Sequence, residues 1–225
     1  MINWIETEHN PYLSNPGPDA IKRLKKSHDF LVCYIHWGNE HNVFVSKEQQ
    51  FAAHEYIKSG VDLVVGHHPH VPQGIEIYGD KYIAYSLGNF LFTPREFYDY
   101  LPYVIRYEDA RENFLFQRTE SKIGIYLTVR FSKLGFDVKE NYIFRENTVP
   151  SGVPQSLQDF VDRLMMRVNY QVRQRNYQMY ESERKRILLY LTLPFIARHP
   201  RYWPIFFIKL AGKKGLRALH RLFKR

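Results

Sequence analysis

Two short apolar runs, Phe30 to Ile35 and Val61 to Val65, each lead into histidine and are joined by a segment with helical spacing. Few folds accommodate that arrangement. A continuous apolar run is how a strand buried on both faces reads, and in α/β folds the C-terminal end of such a strand opens onto the crevice where ligands bind. Between the runs, Ser46 with Gln49 three residues on is a capping-box pattern, Phe51, Ala52, Tyr56 and Ile57 recur at helical spacing, and Ser59-Gly60 is a stop signal. Strand, helix, strand in this order predicts a βαβ unit with a right-handed crossover and parallel strands.

Around this unit the pattern changes. Asn10-Pro11, Asn15-Pro16 and Gly17-Pro18 predict an irregular lead-in, followed by a short helix to Lys26 capped by Asp19. Gly74 to Tyr78 and Tyr82 to Ser86 flank Gly79-Asp80 as a hairpin, and Ile123 to Phe131 and Phe136 to Phe144 flank Lys133 to Gly135 as a second. A polar, aromatic loop fills 93–120, and Pro150 and Pro154 mark a boundary. Beyond it Leu157, Phe160, Val161, Leu164, Met165 and Val168 form one helical stripe. We therefore expect two segments, a domain over residues 1–154 and a basic amphipathic helical tail over 155–225.

Charge divides the same way. Residues 1–154 carry 16 Lys/Arg against 19 Asp/Glu, whereas residues 155–225 carry 16 against 4. Such asymmetry points the tail toward an anionic partner, an acidic polymer or an anionic membrane surface. Its apolar runs, Ile187 to Ile196 and Tyr202 to Ala211, are too short to span a bilayer, which needs about twenty residues, but suit an in-plane element. Arginines and tyrosines between 170 and 186 would serve nucleic acid, yet no nucleic-acid motif accompanies them, and this is the least supported partner. The N-terminus has no basic region followed by an apolar one, so the expected location is cytoplasmic, peripheral at the inner face of the membrane if the tail docks there. The single cysteine, Cys33, excludes an intrachain disulfide and reads as a buried packing thiol.

Six of the ten histidines fall between residues 36 and 70. Imidazole is the commonest metal ligand, and His68 and His70, one residue apart at a strand end with Pro69 between, can turn toward one ion. His36 ends the neighbouring run. The competing reading is an ordinary buried histidine bonded to a backbone carbonyl, which the neighbouring histidines make the weaker of the two. Glu40 is either a surface residue, a partner orienting an imidazole, or a general base. Asn89, after Gly88 at a strand end, is a turn former or an amide that binds a ligand. His41 and His54 read as exposed loop and helix residues.

These residues carry a resemblance. His36-Trp37-Gly38-Asn39-Glu40, the run from Gly60 to Val71 containing Gly66-His67-His68-Pro69-His70, Gln73-Gly74, and Tyr85-Ser86-Leu87-Gly88-Asn89-Phe90 resemble the successive motifs of the CapA family of capsule and poly-γ-glutamate biosynthesis proteins. The resemblance implies an α/β fold: the C-terminal part of a calcineurin-like metallophosphoesterase β-sandwich flanked by helices, here followed by the basic helical tail. It implies a divalent metal ion (Mn, Zn or Fe) on His36, His68 and His70, with Glu40, Asn89 and His67 as catalytic candidates, His67 the weakest. The family's earlier half, with an aspartate-bearing strand and an Asn-x-Glu-like motif, has no counterpart before His36. The expected function is therefore a CapA-like protein with a metal-dependent hydrolase or phosphoesterase site that this chain leaves incomplete, completed by an N-terminal complementary chain or by homo-oligomerisation. The alternative is a non-catalytic assembly subunit associated with a membrane or polymer.

Overall fold

The computed structural model describes residues 17–91, 119–133, 135–145 and 150–187. The lead-in before Gly17, the 93–120 loop apart from its last two residues, and the apolar runs beyond Ile187 lie outside them. The chain is a mixed α/β protein that divides into two compact units, Met1–Arg184 and Lys185–Arg225. Within the described residues the elements run α1 (Pro18–Ser27), β1 (Val32–His36), α2 (Lys47–Lys58), β2 (Leu63–His67), β3 (Ile75–Tyr78), β4 (Lys81–Ala84), β5 (Ile123–Ser132), β6 (Gly135–Arg145), β7 (Pro150–Gly152), α3 (Gln155–Gln174) and α4 (Tyr177–Arg186).

The expected βαβ unit is present. β1 and β2 pair in parallel from Val32↔Leu63 to His36↔His67, and the helix between them starts at the Ser46/Gln49 capping box. β4 joins β2 in parallel and β3 closes the sheet antiparallel, giving the order β1-β2-β4-β3. The second hairpin pairs from Ile123↔Phe144 to Ser132↔Gly135, with β7 on its outer side as a three-stranded antiparallel sheet.

Alternation along β2 and β4 distributes side chains to two cores, as the period of a pleated strand requires. Leu63, Val65, Tyr82 and Ala84 face a core shared with Ile123, Ile125 and Phe144 of the second sheet and Val161, Leu164, Met165 and Val168 of α3. Val64, Ile83 and Tyr85 face the opposite core with Ile21 of α1 and Ala53 and Tyr56 of α2. Strand β2 thus has the doubly buried character its apolar run predicts. Strand β1 does not: among the described residues it is an edge strand, and Val32 and Tyr34, on the same sheet face as Leu63 and Val65, are 48% and 71% exposed.

The boundary expected at 154/155 falls inside the first unit, because the stripe of α3 is part of the core rather than the face of a separate tail. Pro150 likewise opens β7, pairing with Arg145, instead of marking a break. Asp19 sits in the first turn of α1, which begins after Gly17 without a side-chain cap, since Pro18 already supplies the helical φ at the first turn. Cys33 is only partly buried, though burial raises its thiol pKa to about 11.

Candidate metal centre

The parallel register puts His36 and His67 side by side at the C-terminal ends of β1 and β2. Immediately beyond, the chain turns through left-handed backbone at four places: Gly38 (φ 85°), His41 (φ 62°), His68 (φ 97°) and His70 (φ 57°). Left-handed conformations are unfavourable for side-chain-bearing residues and survive only where surrounding contacts over-determine them. Here Trp37 N donates to His67 O at 3.1 Å and His41 N to Pro69 O at 2.7 Å, stitching the two strand-end loops together. Ser86 Oγ donates to Val71 O at 2.8 Å and Gln73 N to Ser86 O at 3.1 Å, fixing the second loop from β4.

The result is a convergence of donors. One ligating atom each from Glu40, His68 and His70 lies within 4.8 Å of the others. The His36 ring sits 4.4 Å from that of His68, and the His68 and His70 rings are 6.1 Å apart. Of the expected ligands His36, His68 and His70, the structure groups the latter two with Glu40 and places His36 at their flank. Glu40, read from sequence as a partner or base, is exposed and joins the donor set itself.

The imidazoles are biased toward the neutral, lone-pair-bearing form that binds metal. Burial lowers the pKa of His36, and His70 adds to this against an opposing pull from Glu40. Burial also lowers that of His68, helped by His36. His67 is pushed down to about 4 by burial, with His36 and His70 contributing. Its ring lies against Tyr34 at a centroid distance of 4.4 Å, and its Nε2 is buried without a hydrogen-bond partner. His67 therefore lines the site without entering the donor group.

Asn89 does more than form a turn. Its Nδ2 donates to His70 O at 3.2 Å and Ser121 O at 3.1 Å, which leaves its Oδ1 as acceptor, 2.9 Å from His70 Nδ1. His70 Nδ1 must then carry the proton, so the lone pair is on Nε2. An outer-shell partner that fixes a histidine tautomer in this way is a regular feature of metal sites. His41 and His54, expected to be exposed, are buried at 5% and 8% exposure. His54 Nε2 instead meets Glu76 Oε1 at 3.0 Å and its ring stacks on Tyr78, so it belongs to packing away from the site.

A cleft of about 720 Å³ opens from this cluster between the two sheets. His36, His67, His68, His70 and Asn89 form one end, and Leu63, Val65, Ile125, Leu127 and Val129 are among its apolar walls.

Residues 7–94 match the family model described as bacterial capsule synthesis protein PGA_cap. Through this stretch the chain is similar to CapA proteins. It is 36% identical over 96 residues to the capsule biosynthesis protein CapA of Bacillus anthracis, an alignment covering 39% of this chain and 23% of that protein. It is 43% identical over 72 residues to the PGA biosynthesis protein CapA of Bacillus subtilis, covering 32% and 19%. A probable polyglutamine synthesis accessory protein of Mycobacterium tuberculosis is 35% identical over 65 residues, covering 29% and 17%. The chain thus matches about a fifth of the length of these CapA relatives, and every residue of the donor cluster lies within the family-matched stretch.

Sequence reasoning missed the polar residues behind the cluster. Asn42, Gln49, Gln73 and Gln171 are all at most 1% exposed and hydrogen-bonded to one another or to the loop backbone. The available signal was polar amides inside apolar surroundings, Asn42 before Val43-Phe44-Val45 and Gln73 after Val71-Pro72.

Proposed function

We propose that this chain carries the histidine-rich part of a divalent-metal site of the hydrolase or phosphoesterase type, in a CapA-like protein of capsule or poly-γ-glutamate biosynthesis. The supporting observation is the grouping of Glu40, His68 and His70 donors within 4.8 Å, flanked by His36. Two imidazoles and a carboxylate suit Zn, Mn or Fe, and the lowered pKa values keep His36 and His68 uncharged at neutral pH. Such an ion, held by these residues, supplies Lewis acidity and lowers the pKa of bound water. Asn89 holds the proton on His70 Nδ1, and the cleft beside the cluster has apolar walls. A metallophosphoesterase sandwich is the architecture we assign, with this chain contributing its two described sheets. The exposed edge of β1, with Val32 and Tyr34, is where added strands would pair.

The test is metal content and affinity. Purified in Mn²⁺ or Zn²⁺, the wild-type chain should retain metal, and His68→Ala and His70→Ala should lose it. A wild-type chain that leaves dialysis without stoichiometric metal refutes the reading.

A second reading is favoured by the 16 Lys/Arg against 4 Asp/Glu of residues 155–225. In it the protein is a non-catalytic subunit held on an acidic polymer or at the inner membrane face by this basic stretch. Among the described residues no helix is long and apolar enough to cross a membrane. Co-sedimentation with anionic vesicles that persists in His68→Ala and weakens with salt supports this reading; equal sedimentation with neutral vesicles opposes it.

A further inference from the structure

We propose that the helix pair α3–α4, which lies beyond the family-matched stretch, sets the position of Glu40, with Tyr180 and Gln171 as positioning residues. The inference rests on reading the Glu40, His68 and His70 cluster as a metal site. In that cluster Glu40 is the donor from the loop between β1 and α2, whereas both histidines come from the loop after β2. The geometry of the site therefore depends on how the first loop is held against the second.

That loop, residues 37–46, has neither helix nor strand, yet Asn42, Val43, Phe44 and Val45 are 0–2% exposed. Its buried backbone groups need partners from elsewhere in the chain. Gln73 supplies those of Asn42 O and Phe44 O, and the C-terminal helices supply those of Val45 and hold the loop's asparagine side chains. Gln171 on α3 accepts from Val45 N at 3.0 Å and donates to Val45 O at 3.1 Å, imitating a strand neighbour for one residue. Tyr180 on α4 accepts from Asn39 Nδ2 at its hydroxyl, 2.6 Å, and from Asn42 Nδ2 at its carbonyl, 3.2 Å. Arg167 of α3 covers the Phe44 ring at 4.8 Å.

Glu40 stands between two anchors. On one side Asn39 is tied to Tyr180, and on the other His41 N is tied to Pro69 O, between the two histidine ligands. Releasing the Asn39 side chain removes the tie next to the carboxylate on that side and leaves Trp37 N on His67 O as the nearest cross-loop restraint before it. The carboxylate's distance to His68 and His70 is then less closely fixed. The helices contribute no donor to the cluster; they act through the loop.

Tyr180→Phe removes the acceptor for Asn39 and keeps the ring. Tyr177→Phe is the matched control on the same helix, because its hydroxyl donates to Gln50 Oε1 on α2 and not to the loop. Hydrogen–deuterium exchange on the full, metal-free chain, followed by mass spectrometry, reads the loop directly. Tyr180→Phe should raise exchange of the 38–46 amides roughly fivefold, the factor carried by one hydrogen bond of ordinary net strength. Mn²⁺ affinity, followed by the electron paramagnetic resonance of free ion, should fall by a similar factor. Tyr177→Phe should leave both at wild-type values. Unchanged loop exchange in Tyr180→Phe, or an equal effect from Tyr177→Phe, overturns the inference. A wild-type chain that binds no Mn²⁺ overturns the metal reading and Glu40's role with it, and the exchange comparison then still decides whether Tyr180 holds the loop.

Discussion

Gly66 is the narrowest point behind the histidine cluster, and substituting it tests the proposed packing most sharply. The residue lies in β2 opposite Ile35 of β1, one position before His67. A Cβ at Gly66 would lie 2.1 Å from Tyr85 O and 2.4 Å from Trp37 Nε1, the acceptor and donor of a 2.8 Å hydrogen bond that crosses this point. Trp37 is fully buried, and the Tyr85 contact is backbone, so no rotamer change makes room. Gly66→Ala must therefore push β2 from the end of β4 or displace the indole. Overpacking of this kind costs about 1–3 kcal/mol, and loss of the indole hydrogen bond adds about 1 kcal/mol. Reduced unfolded-state freedom returns roughly 0.4–1 kcal/mol, leaving a net destabilisation of about 1–3.5 kcal/mol. Gly79→Ala is the comparator: it also gives up glycine, at φ 66°, but its Cβ would meet nothing within 4 Å, so it should cost only the left-handed penalty of about 1–2 kcal/mol. Urea denaturation followed by far-ultraviolet circular dichroism gives both values, and near-ultraviolet dichroism reports the indole. If Gly66→Ala is no more destabilising than Gly79→Ala, the steric argument is wrong.

Three further outcomes follow from the same geometry. Asn89→Ala removes the acceptor that holds the proton on His70 Nδ1, and should lower metal affinity roughly ten- to a hundredfold by calorimetric titration while His68→Ala abolishes binding. Asp62, with a side chain 5% exposed, takes Lys25 Nζ at 2.6 Å, Lys81 Nζ at 3.0 Å and Leu31 N at 2.9 Å; burial alone would raise its pKa, and these three bonds outweigh that and lower it. A depressed folded-state pKa stabilises above the unfolded value and is lost as pH falls through the folded one, so Asp62→Asn should cost about 2 kcal/mol at pH 7 and progressively less below about pH 4, checked by urea midpoints across that range. Gln73→Leu strands Asn42 O, Phe44 O and the Gln49 amide in the core, and should destabilise by about 2–4 kcal/mol in the same assay, against less than 1 kcal/mol if water reaches those groups.

The parts of this molecule legible from sequence are those whose signal is local. The βαβ unit showed itself because a capping box, a helical stripe and a glycine stop lie in consecutive residues, and both hairpins because a turn sits between two runs of fixed period. The histidine cluster was readable for a related reason: a parallel pair with its helix between brings two strand ends to one edge, so His36 and His67 had to be neighbours once the unit was recognised. Burial of β1 was misjudged because an apolar run reports what a strand can cover, and only the strand order shows that nothing among the described residues pairs with its far side. The packing of α3 was hidden for a similar reason. The stripe of α3 announces an apolar face, but its partners Leu63, Val65 and Ile125 are separated from it by many tens of residues and by a change of sheet. The same distance hid the loop anchors, since nothing near Asn39 or Val45 in sequence indicates that Tyr180 and Gln171 complete them. The candidate donors of this chain thus sit in a family-matched segment with strong local motifs, while part of what we propose fixes their spacing sits outside it. A fragment ending where the motifs end would keep every donor and lose the restraint on Glu40.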